Sequence, residues 1–380
     1  MRYIPAGRSI SRIHFAVRPL HCSVKVFYTQ GMVTLHEVTV VTRKFLAICA
    51  MGLIGILLIV GGVRIFQSIK GTLYPTPPPP PTVSYGKLPS ITFPQNITTQ
   101  SLSYTVNTIT GTLPNFPDRT TIHKITPAQP NLLALKKAQE IVQAVGFKTN
   151  PIQLSDVLYA WTNTDTLPKT LTMNIQTQDF TLTSDYKNNQ DVLSAQNIPD
   201  QTQTITTITS YLNALSLFPP DIDDNRTKVS LFAISQGQLV PATSLSTTQI
   251  ERVDLFQKDI DKMPIFYAHP SYSSMNVFLG SADIQNAQIV AVNFSHKTIS
   301  FDSATYPIKS ASQALKDLQN GNGYIASYTG IASKVIIQNI SLGYFMSDAN
   351  QAYLMPIVVF QGDNNFFAYV SAVRDEWLSN

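Results

Sequence analysis

An uncharged apolar run stands out in the hydrophobic pattern of this chain. It lies between Lys44 and Arg64 and contains no charged residue. At a rise of 1.5 Å per residue, a helix of about 19 apolar residues crosses the ~30 Å hydrocarbon core of a bilayer. The pattern therefore predicts one transmembrane helix over residues 45–63.

Beyond this run, the spacing of apolar residues predicts three helices separated by strands. In each helix an apolar residue recurs every three or four positions. Asp200 is a predicted N-cap, and Ser310 with Gln313 forms a predicted capping box. The predicted helices are 132–145, 201–217 and 311–318. The predicted strands are 157–161, 171–182, 229–234, 238–241, 252–257, 264–268, 276–280, 289–294, 335–345, 353–361 and 366–373.

This succession predicts an α+β fold rather than a doubly wound parallel sheet, because runs of hairpin-like strands follow each helix. We expect an ectodomain of two or three helix-plus-antiparallel-sheet subdomains. The proline run Pro77–Pro81 favours a stiff, extended spacer. The predicted segments are a basic N-terminus (1–44, of which 1–31 is a candidate over-extended start), the transmembrane helix (45–63), a Pro-rich linker (64–100) and two α+β regions (101–220 and 221–380).

The distribution of charge gives the apolar run an orientation. Nine of the 27 Lys and Arg residues precede Gly71, whereas only one of the 23 acidic residues, Glu37, does. By the positive-inside rule, the N-terminus is cytoplasmic and the C-terminal domain extracytoplasmic. The remainder carries a net charge of −4 and therefore lacks the basic surface that nucleic-acid binding requires.

The sequence disfavours two alternatives to an uncleaved anchor. A cleaved signal peptide is disfavoured because the apolar run is long and no small-x-small cleavage site follows it. A lipoprotein is disfavoured because Ile48 precedes Cys49 where a small residue is needed, and the apolar run continues beyond the cysteine. Both cysteines, Cys22 and Cys49, lie at or before the membrane, which suits a bacterial envelope protein without disulfides.

The motifs that resemble catalytic or metal sites are weak. The string from Ala233 to Gly237 approximates a nucleophile elbow, but a strand-like run follows Ser235, so a hairpin turn is expected. The acidic segment 221–225 lacks the glycine and the closing glutamate of a calcium loop. His123, His269 and His296 lack metal-ligand spacing and are expected in loops or on the surface. We therefore predict no catalytic residue, metal or cofactor.

Aromatic and apolar residues of the last strands are the candidate partner surface. Two interpretations remain open: they form the core of a sheet, or they form an exposed edge that accepts a partner. In the membrane helix, Gly52 and Gly55 could allow close approach of another helix. The candidate surface consists of Tyr344, Phe345, Tyr353, Met355, Phe366 and Phe367.

Residues 253–373 carry a family resemblance. The strings concerned are Pro264 to Phe266, Ser310 to Leu315, Ile340 to Tyr344, Leu354 to Phe360 and Phe367 to Val370. With the single N-terminal anchor, they resemble the extracytoplasmic YycH and YycI proteins and, more loosely, the PepSY-like group. That resemblance implies a non-enzymatic regulator that adjusts a membrane histidine kinase through contacts outside and within the bilayer.

The leading hypothesis is a membrane-anchored, non-catalytic envelope protein. Its ectodomain would bind another protein or an envelope ligand and modulate a membrane partner, while the lipid bilayer holds the anchor. One alternative is an envelope hydrolase with an unrecognised carboxylate site, for which paired carboxylates of raised pKa in a deep pocket would argue. The other is a structural subunit of an envelope or secretion assembly.

Overall fold

The computed structural model describes residues 35–73, 80–98, 101–195, 197–283 and 288–379. The chain divides into two compact units, Met1–Pro79 and Pro80–Asn380. The candidate over-extended start and most of the proline run lie outside the described residues.

The first unit contains one long helix, α1 (Leu35–Leu73). Its stretch Thr42–Ile65 has a mean hydropathy of 2.7 and is long and apolar enough to cross a membrane. This confirms the expected apolar helix, which extends further in both directions than predicted. A Cβ added at Gly52 or Gly55 would meet no atom within 4 Å, so the helix contact predicted there stays a prediction.

The second unit is mostly sheet with a few helices, which confirms the α+β class. Its helices are α2 (Ala134–Gln143), α3 (Gln190–Ser194), α4 (Gln201–Ala214) and α5 (Ala311–Gln319). Its strands are β1 (Leu88–Pro89), β2 (Ser103–Val106), β3 (Arg119–Ile125), β4 (Ile152–Gln153), β5 (Leu158–Thr162), β6 (Lys169–Asn174), β7 (Phe180–Ser184), β8 (Lys228–Ser235), β9 (Gln238–Pro241), β10 (Ile250–Asp254), β11 (Ile265–Phe266), β12 (Met275–Leu279), β13 (Ile289–Phe294), β14 (Ile299–Pro307), β15 (Tyr324–Ser327), β16 (Lys334–Phe345), β17 (Tyr353–Gly362), β18 (Phe366–Ser371) and β19 (Leu378–Ser379).

One sheet has nine strands in the order β4-β5-β6-β7-β13-β12-β10-β8-β9. Each half is a helix followed by antiparallel strands: α2 precedes β4 to β7, and α4 precedes β8, β9, β10, β12 and β13. The halves meet where β7 pairs antiparallel with β13. Because that pairing joins residues on both sides of position 220, the predicted boundary between regions 101–220 and 221–380 is wrong. Local patterns could not reveal this long-range pairing.

Helices α2 and α4 cover one face of the nine-stranded sheet, here called the covered face. Its core includes Val142 and Leu212 from the helices and Trp161, Leu171 and Val277 from the strands, all fully buried. Helix α4 begins where predicted, because the Asp200 and Gln203 side chains form a reciprocal capping box. The opposite face is called the open face. At one end it is covered by α3 and a small apolar cluster that includes Val192 and Ile250.

The C-terminal sheet has the core order β11-β16-β17-β18-β15, with β2 beside β16, and β3 pairing with both β14 and β17. Helix α5 packs on one face through Ala314 and Leu318, and its Ser310 capping box is present as predicted. The other face packs against Ile91 and Phe93. Both faces are therefore buried, which explains the nearly continuous apolar sequence of β17.

Residues 80–98 belong to the folded domain, which corrects the predicted linker 64–100. Leu88 is fully buried, and β1 pairs in parallel with β19 at the other end of the chain. Tyr306 donates a 3.0 Å hydrogen bond to the Gly86 carbonyl. These contacts join positions more than 200 residues apart, so the composition of the segment alone suggested a linker.

The predicted strand over residues 171–182 is also corrected, because the structure divides it into β6 and β7. The chain turns between them, and Gln178 has a φ of 63°. The Asn174 side chain accepts hydrogen bonds from the backbone N–H groups of Gln176 and Thr177 and so stabilises the turn. Alternation continued across this hairpin, which hid the turn in the sequence.

Candidate functional site

The candidate partner surface in the last strands is largely buried. Four of its residues are at most 2% exposed and therefore do not form an exposed edge: Tyr344, Phe345, Met355 and Phe366. Tyr353 and Phe367 are half-buried. Segment 80–98 covers part of this surface, because the ring of Phe93 lies 4.9 Å from that of Phe345 and the ring of Tyr85 lies 5.1 Å from that of Tyr353. Tyr344 and Phe366 are buried in two other core clusters. The sheet-core interpretation therefore holds for the four buried residues.

A polar row crosses the open face of the nine-stranded sheet instead. In register across β6, β7, β13, β12 and β10 lie Thr172, Thr181, Asn293, Asn276 and Asp254. Side chains alternate between the faces of a strand, and the flanking residues of these strands enter the core of the covered face. Thr172, Thr181, Asn293 and Asn276 of this row thus form the floor of a groove of about 710 Å³, here called the open-face groove.

Amide groups connect the middle of this floor. The Asn293 Nδ2 donates to Asn276 Oδ1 at 3.1 Å, and the Asn276 Nδ2 donates to the Ser273 carbonyl at 2.8 Å. Asn276 is buried, whereas Thr181 and Asn293 are exposed. The exposed amide and hydroxyl keep donors and acceptors available to a bound molecule.

One wall of the groove is held by a buried ion pair. The Arg252 guanidinium donates two hydrogen bonds to Asp254, Nε to Oδ2 at 2.9 Å and Nη2 to Oδ1 at 2.8 Å. The Ser273 N–H also donates to Asp254 at 2.8 Å. Asp254 is fully buried, and burial raises its pKa while the bond from Arg252 opposes the rise. Arg252 thereby fixes the segment that forms the rim.

Aromatic stacking continues this wall to the surface. The Arg252 Cζ lies 4.0 Å from the centroid of the Tyr272 ring, and the His269 ring stacks on Tyr272 at 4.3 Å. Burial, followed by the charges of Arg252 and Lys228, lowers the pKa of His269. Tyr272 itself is 36% exposed, so the stack presents an aromatic edge beside the amide floor.

Charges around the groove are nearly balanced. On its other side Lys297 Nζ donates to Asp179 at 3.0 Å, which neutralises both groups. Asp348 also lines the groove, and desolvation there raises the pKa of its carboxyl. Among the described lining residues Asp348 is the one carboxylate without an ion pair. The groove therefore suits an uncharged, hydrogen-bonding molecule.

A polar network lies next to the groove and accounts for two weak motifs. His296 Nε2 lies 2.8 Å from Asp221 Oδ1, and Gln257 Nε2 donates to the other Asp221 oxygen at 2.8 Å. The pKa of Asp221 is lowered: burial alone would raise it, but the bonds from His296 and Gln257 outweigh that effect. Asp221 is thus engaged with protein partners rather than arranged as a calcium ligand.

The remaining motifs take structural roles. Ser235 ends β8 and enters a tight hairpin in which Gln236 and Gly237 have φ values of 52° and 70°, as predicted. His123, predicted in a loop or on the surface, lies in β3 and contacts Asp261 at 2.9 Å. Among the described residues, no three His, Cys, Asp or Glu side chains are grouped to hold a metal ion.

The sequence prediction missed the open-face groove, although a signal was present. Asn276 and Asn293 stand between apolar neighbours within strands, where asparagine is disfavoured. A residue of low strand propensity inside a strand indicates that its face of the sheet has a role other than core packing. Their proximity depends on strand order, which no local pattern supplied.

Comparison with known proteins adds little to this description. No family model matches the sequence, and no curated protein matches it. Among solved structures, an uncharacterized protein from Eubacterium rectale ATCC 33656 aligns with 12% identity over 74% of this chain and 87% of that chain, with a TM-score of 0.31. A similarity of this size carries no argument about function.

Proposed function

We propose that this protein is a membrane-anchored, non-catalytic envelope protein whose open-face groove binds a polar segment of a membrane partner. The observation that carries the proposal is the row of amide and hydroxyl groups across four strands, β6, β7, β13 and β12. Such groups pair with the donors and acceptors of an extended peptide without requiring a charged ligand. The stack of Tyr272 on Arg252 supplies an aromatic surface of the kind enriched at interfaces.

The anchor supports the extracytoplasmic part of the proposal. Helix α1 has the length and hydropathy of a single membrane span, and the basic residues before it favour a cytoplasmic N-terminus. The resemblance to YycH and YycI proteins points to the same arrangement and to a kinase-like membrane partner. A partner held in the same bilayer meets the groove at high effective concentration, so modest affinity suffices.

Binding is favoured over hydrolysis by the state of the carboxylates. Asp254 is enclosed by Arg252 and the Ser273 N–H, and Asp179 is paired with Lys297, so neither is free to donate or accept a substrate proton. Asp348 alone lacks such a partner among the described lining residues. A glycosidase-like mechanism requires two cooperating carboxylates. One unpaired carboxylate in the groove does not meet that requirement.

Photocrosslinking in intact cells tests the proposal. A photoreactive amino acid is placed at Asn293 in the groove and, as a matched control, at Lys136, which is exposed on α2 over the covered face. We expect a membrane protein to be captured from position 293 and not from position 136. Equal capture from both positions, or turnover of envelope substrates by the purified full-length protein, would reject the proposal.

A further inference from the structure

His269 differs from the other two histidines in the described part of the folded domain. His123 contacts Asp261 at 2.9 Å, and His296 contacts Asp221 at 2.8 Å. A protonated ring at either of these positions is therefore paired with a carboxylate. Within the described residues His269 contacts no carboxylate, and it lies in the wall of the open-face groove that carries the aromatic stack.

A tight turn fixes the position of the His269 ring. The chain reads His-Pro-Ser-Tyr over residues 269–272, and the Tyr272 N–H donates to the His269 carbonyl at 3.2 Å. Pro270 suits the second position of such a turn, because its φ is preset. The Ser271 N–H donates to His269 Nδ1 at 3.1 Å. The imidazole thus accepts from the backbone two residues further along, as asparagine and aspartate side chains do in Asx turns.

This hydrogen bond requires the neutral form of the His269 ring. A backbone N–H can only donate, so Nδ1 accepts with its lone pair and carries no proton. In the imidazolium both ring nitrogens are donors. Protonation would therefore place two donors opposite each other, and the ring could not keep its place in the turn.

The charges around His269 also oppose its protonation. The Arg252 Cζ lies 4.0 Å from the centroid of the Tyr272 ring, and the centroid of the His269 ring lies 4.3 Å from it. A protonated His269 would thus be a second cation against the same tyrosine. Burial, followed by the charges of Arg252 and Lys228, lowers the pKa of His269. The closed wall therefore holds the neutral imidazole.

The remaining titratable groups near this segment supply no counter-charge. Asp254 is occupied by two hydrogen bonds from Arg252. Tyr267 and Tyr324 stay neutral, because burial raises the pKa of each phenol. Among the described residues Asp348 lines the same groove, but it forms no ion pair with the histidine. The imidazolium would thus have neither its backbone contact nor a carboxylate partner.

We propose that protonation of His269 opens this wall of the groove, so that acid weakens the binding of the partner segment. Loss of the Nδ1 acceptor frees the turn, and the Tyr272 ring leaves its position on Arg252. Since the pKa of His269 is lower in the closed wall than in the open one, acid favours the open form below the ordinary histidine pKa of about 6.5. The effect on binding rests on the function proposed for the groove, whereas the opening of the wall does not.

Hydrogen–deuterium exchange of the full-length protein in detergent tests the opening without a partner. The exchange of residues 268–274 is compared at about pH 7.5 and about pH 5.5, on either side of the histidine range, after the intrinsic pH dependence of amide exchange is removed. We expect several-fold faster exchange of this segment at the lower pH. The buried stretch Leu354–Phe360 of β17 should show no such change.

Two variants make the exchange experiment specific. In His269→Asn the side-chain oxygen can accept from the Ser271 N–H and does not titrate, so the segment should stay closed at both pH values. His123→Asn removes a histidine that contacts Asp261 and should keep the acid-induced opening. Exchange of residues 268–274 that is independent of pH in the unmodified protein, or that changes equally in His269→Asn, would overturn the proposal.

Photocrosslinking from position 293 at the same two pH values tests the consequence for binding. We expect several-fold less capture of the partner at the lower pH in the unmodified protein, and no such loss in His269→Asn. Equal capture by the unmodified protein at both pH values would overturn the predicted effect on binding. Capture of no protein at either pH would reject the function proposed for the groove, and the exchange experiment would still decide whether the wall opens.

Discussion

The C-terminal sheet and the nine-stranded sheet use their strands differently. Strand β17 is buried along Leu354–Phe360, because α5 covers one face of its sheet and the segment around Phe93 covers the other. The nine-stranded sheet is apolar on the face beneath α2 and α4, and polar along Thr172, Thr181 and Asn293 on the other. An aromatic-rich strand therefore marks core in this protein, and a polar row within apolar strands marks the candidate site.

Residues 80–98 bear on two expectations in this comparison. They fall in the predicted linker 64–100, and an exposed partner surface was one of the two interpretations of the aromatic residues of the last strands. The structure packs Leu88 in one cluster with Met355, and Phe93 in another with Phe345. A segment that covers a sheet face from more than 200 residues away has no local signal.

The largest expected effect is a difference in stability loss between a variant of the C-terminal sheet and a variant of the nine-stranded sheet. Phe360 is fully buried in the C-terminal core, so Phe360→Ala should lower the free energy of unfolding by about 3–5 kcal/mol. Thr181 is exposed in the groove, and Thr181→Ala should change it by less than about 0.5 kcal/mol. Urea unfolding followed by tryptophan fluorescence measures both. Similar losses in the two variants would contradict the difference between the sheets.

A smaller effect is expected at the groove wall. Arg252→Ala leaves the fully buried Asp254 without its charged partner and should cost about 3 kcal/mol at neutral pH. The double variant Arg252→Ala/Asp254→Asn should recover part of that loss, because no buried charge remains.

The control for this prediction is an exposed ion pair. Lys124 contacts Asp302 at 2.7 Å with both side chains about half exposed, so solvent screens the pair and Lys124→Ala should change the free energy of unfolding far less than Arg252→Ala does. The double variant Arg252→Ala/Asp254→Asn should be more stable than Arg252→Ala. Equal stability of the two variants would show that the ion pair does not determine the stability of the wall.

The smallest effect concerns a charge on the covered face. Glu251 and Thr204 are buried there, and Thr204 donates a hydrogen bond to the Glu251 carboxylate. Burial raises the pKa of Glu251 above its usual value, so the folded state holds its proton to higher pH than the unfolded state does. The stability of the unmodified protein therefore falls as pH rises between those two values.

Glu251→Gln removes this dependence, because the amide cannot ionise and its oxygen can still accept from Thr204. The ordinary pKa of a glutamate is about 4.3. The variant should therefore match the stability of the unmodified protein near pH 4 and be slightly more stable at neutral pH. Urea unfolding at several pH values measures the difference. The measured quantity is the stability of the variant minus that of the unmodified protein. A lower value of this difference at neutral pH than at pH 4 would contradict the assignment.

Short-range signals predicted several elements well. Strands β9 and β13 match their predicted bounds, and α4 and α5 begin directly after their predicted caps, Asp200 and Ser310, because alternation and helix caps are local patterns. Strand β14 was missed because its alternation is broken by a bulge between Ile299 and Ser303, and its partner β3 is distant in sequence. The groove was missed for the second reason, since it exists only through the order of five strands.

We propose that the open-face groove lies outside the cell and is covered by a partner. Cysteine labelling tests it directly, with Thr181→Cys in the groove and Lys136→Cys on α2, each in a chain whose Cys22 and Cys49 are replaced by serine. We expect an impermeant maleimide to label both positions in intact cells, and position 181 several-fold more slowly, relative to position 136, than in the purified protein. Labelling only after lysis, or the same ratio in cells and in the purified protein, would contradict the account.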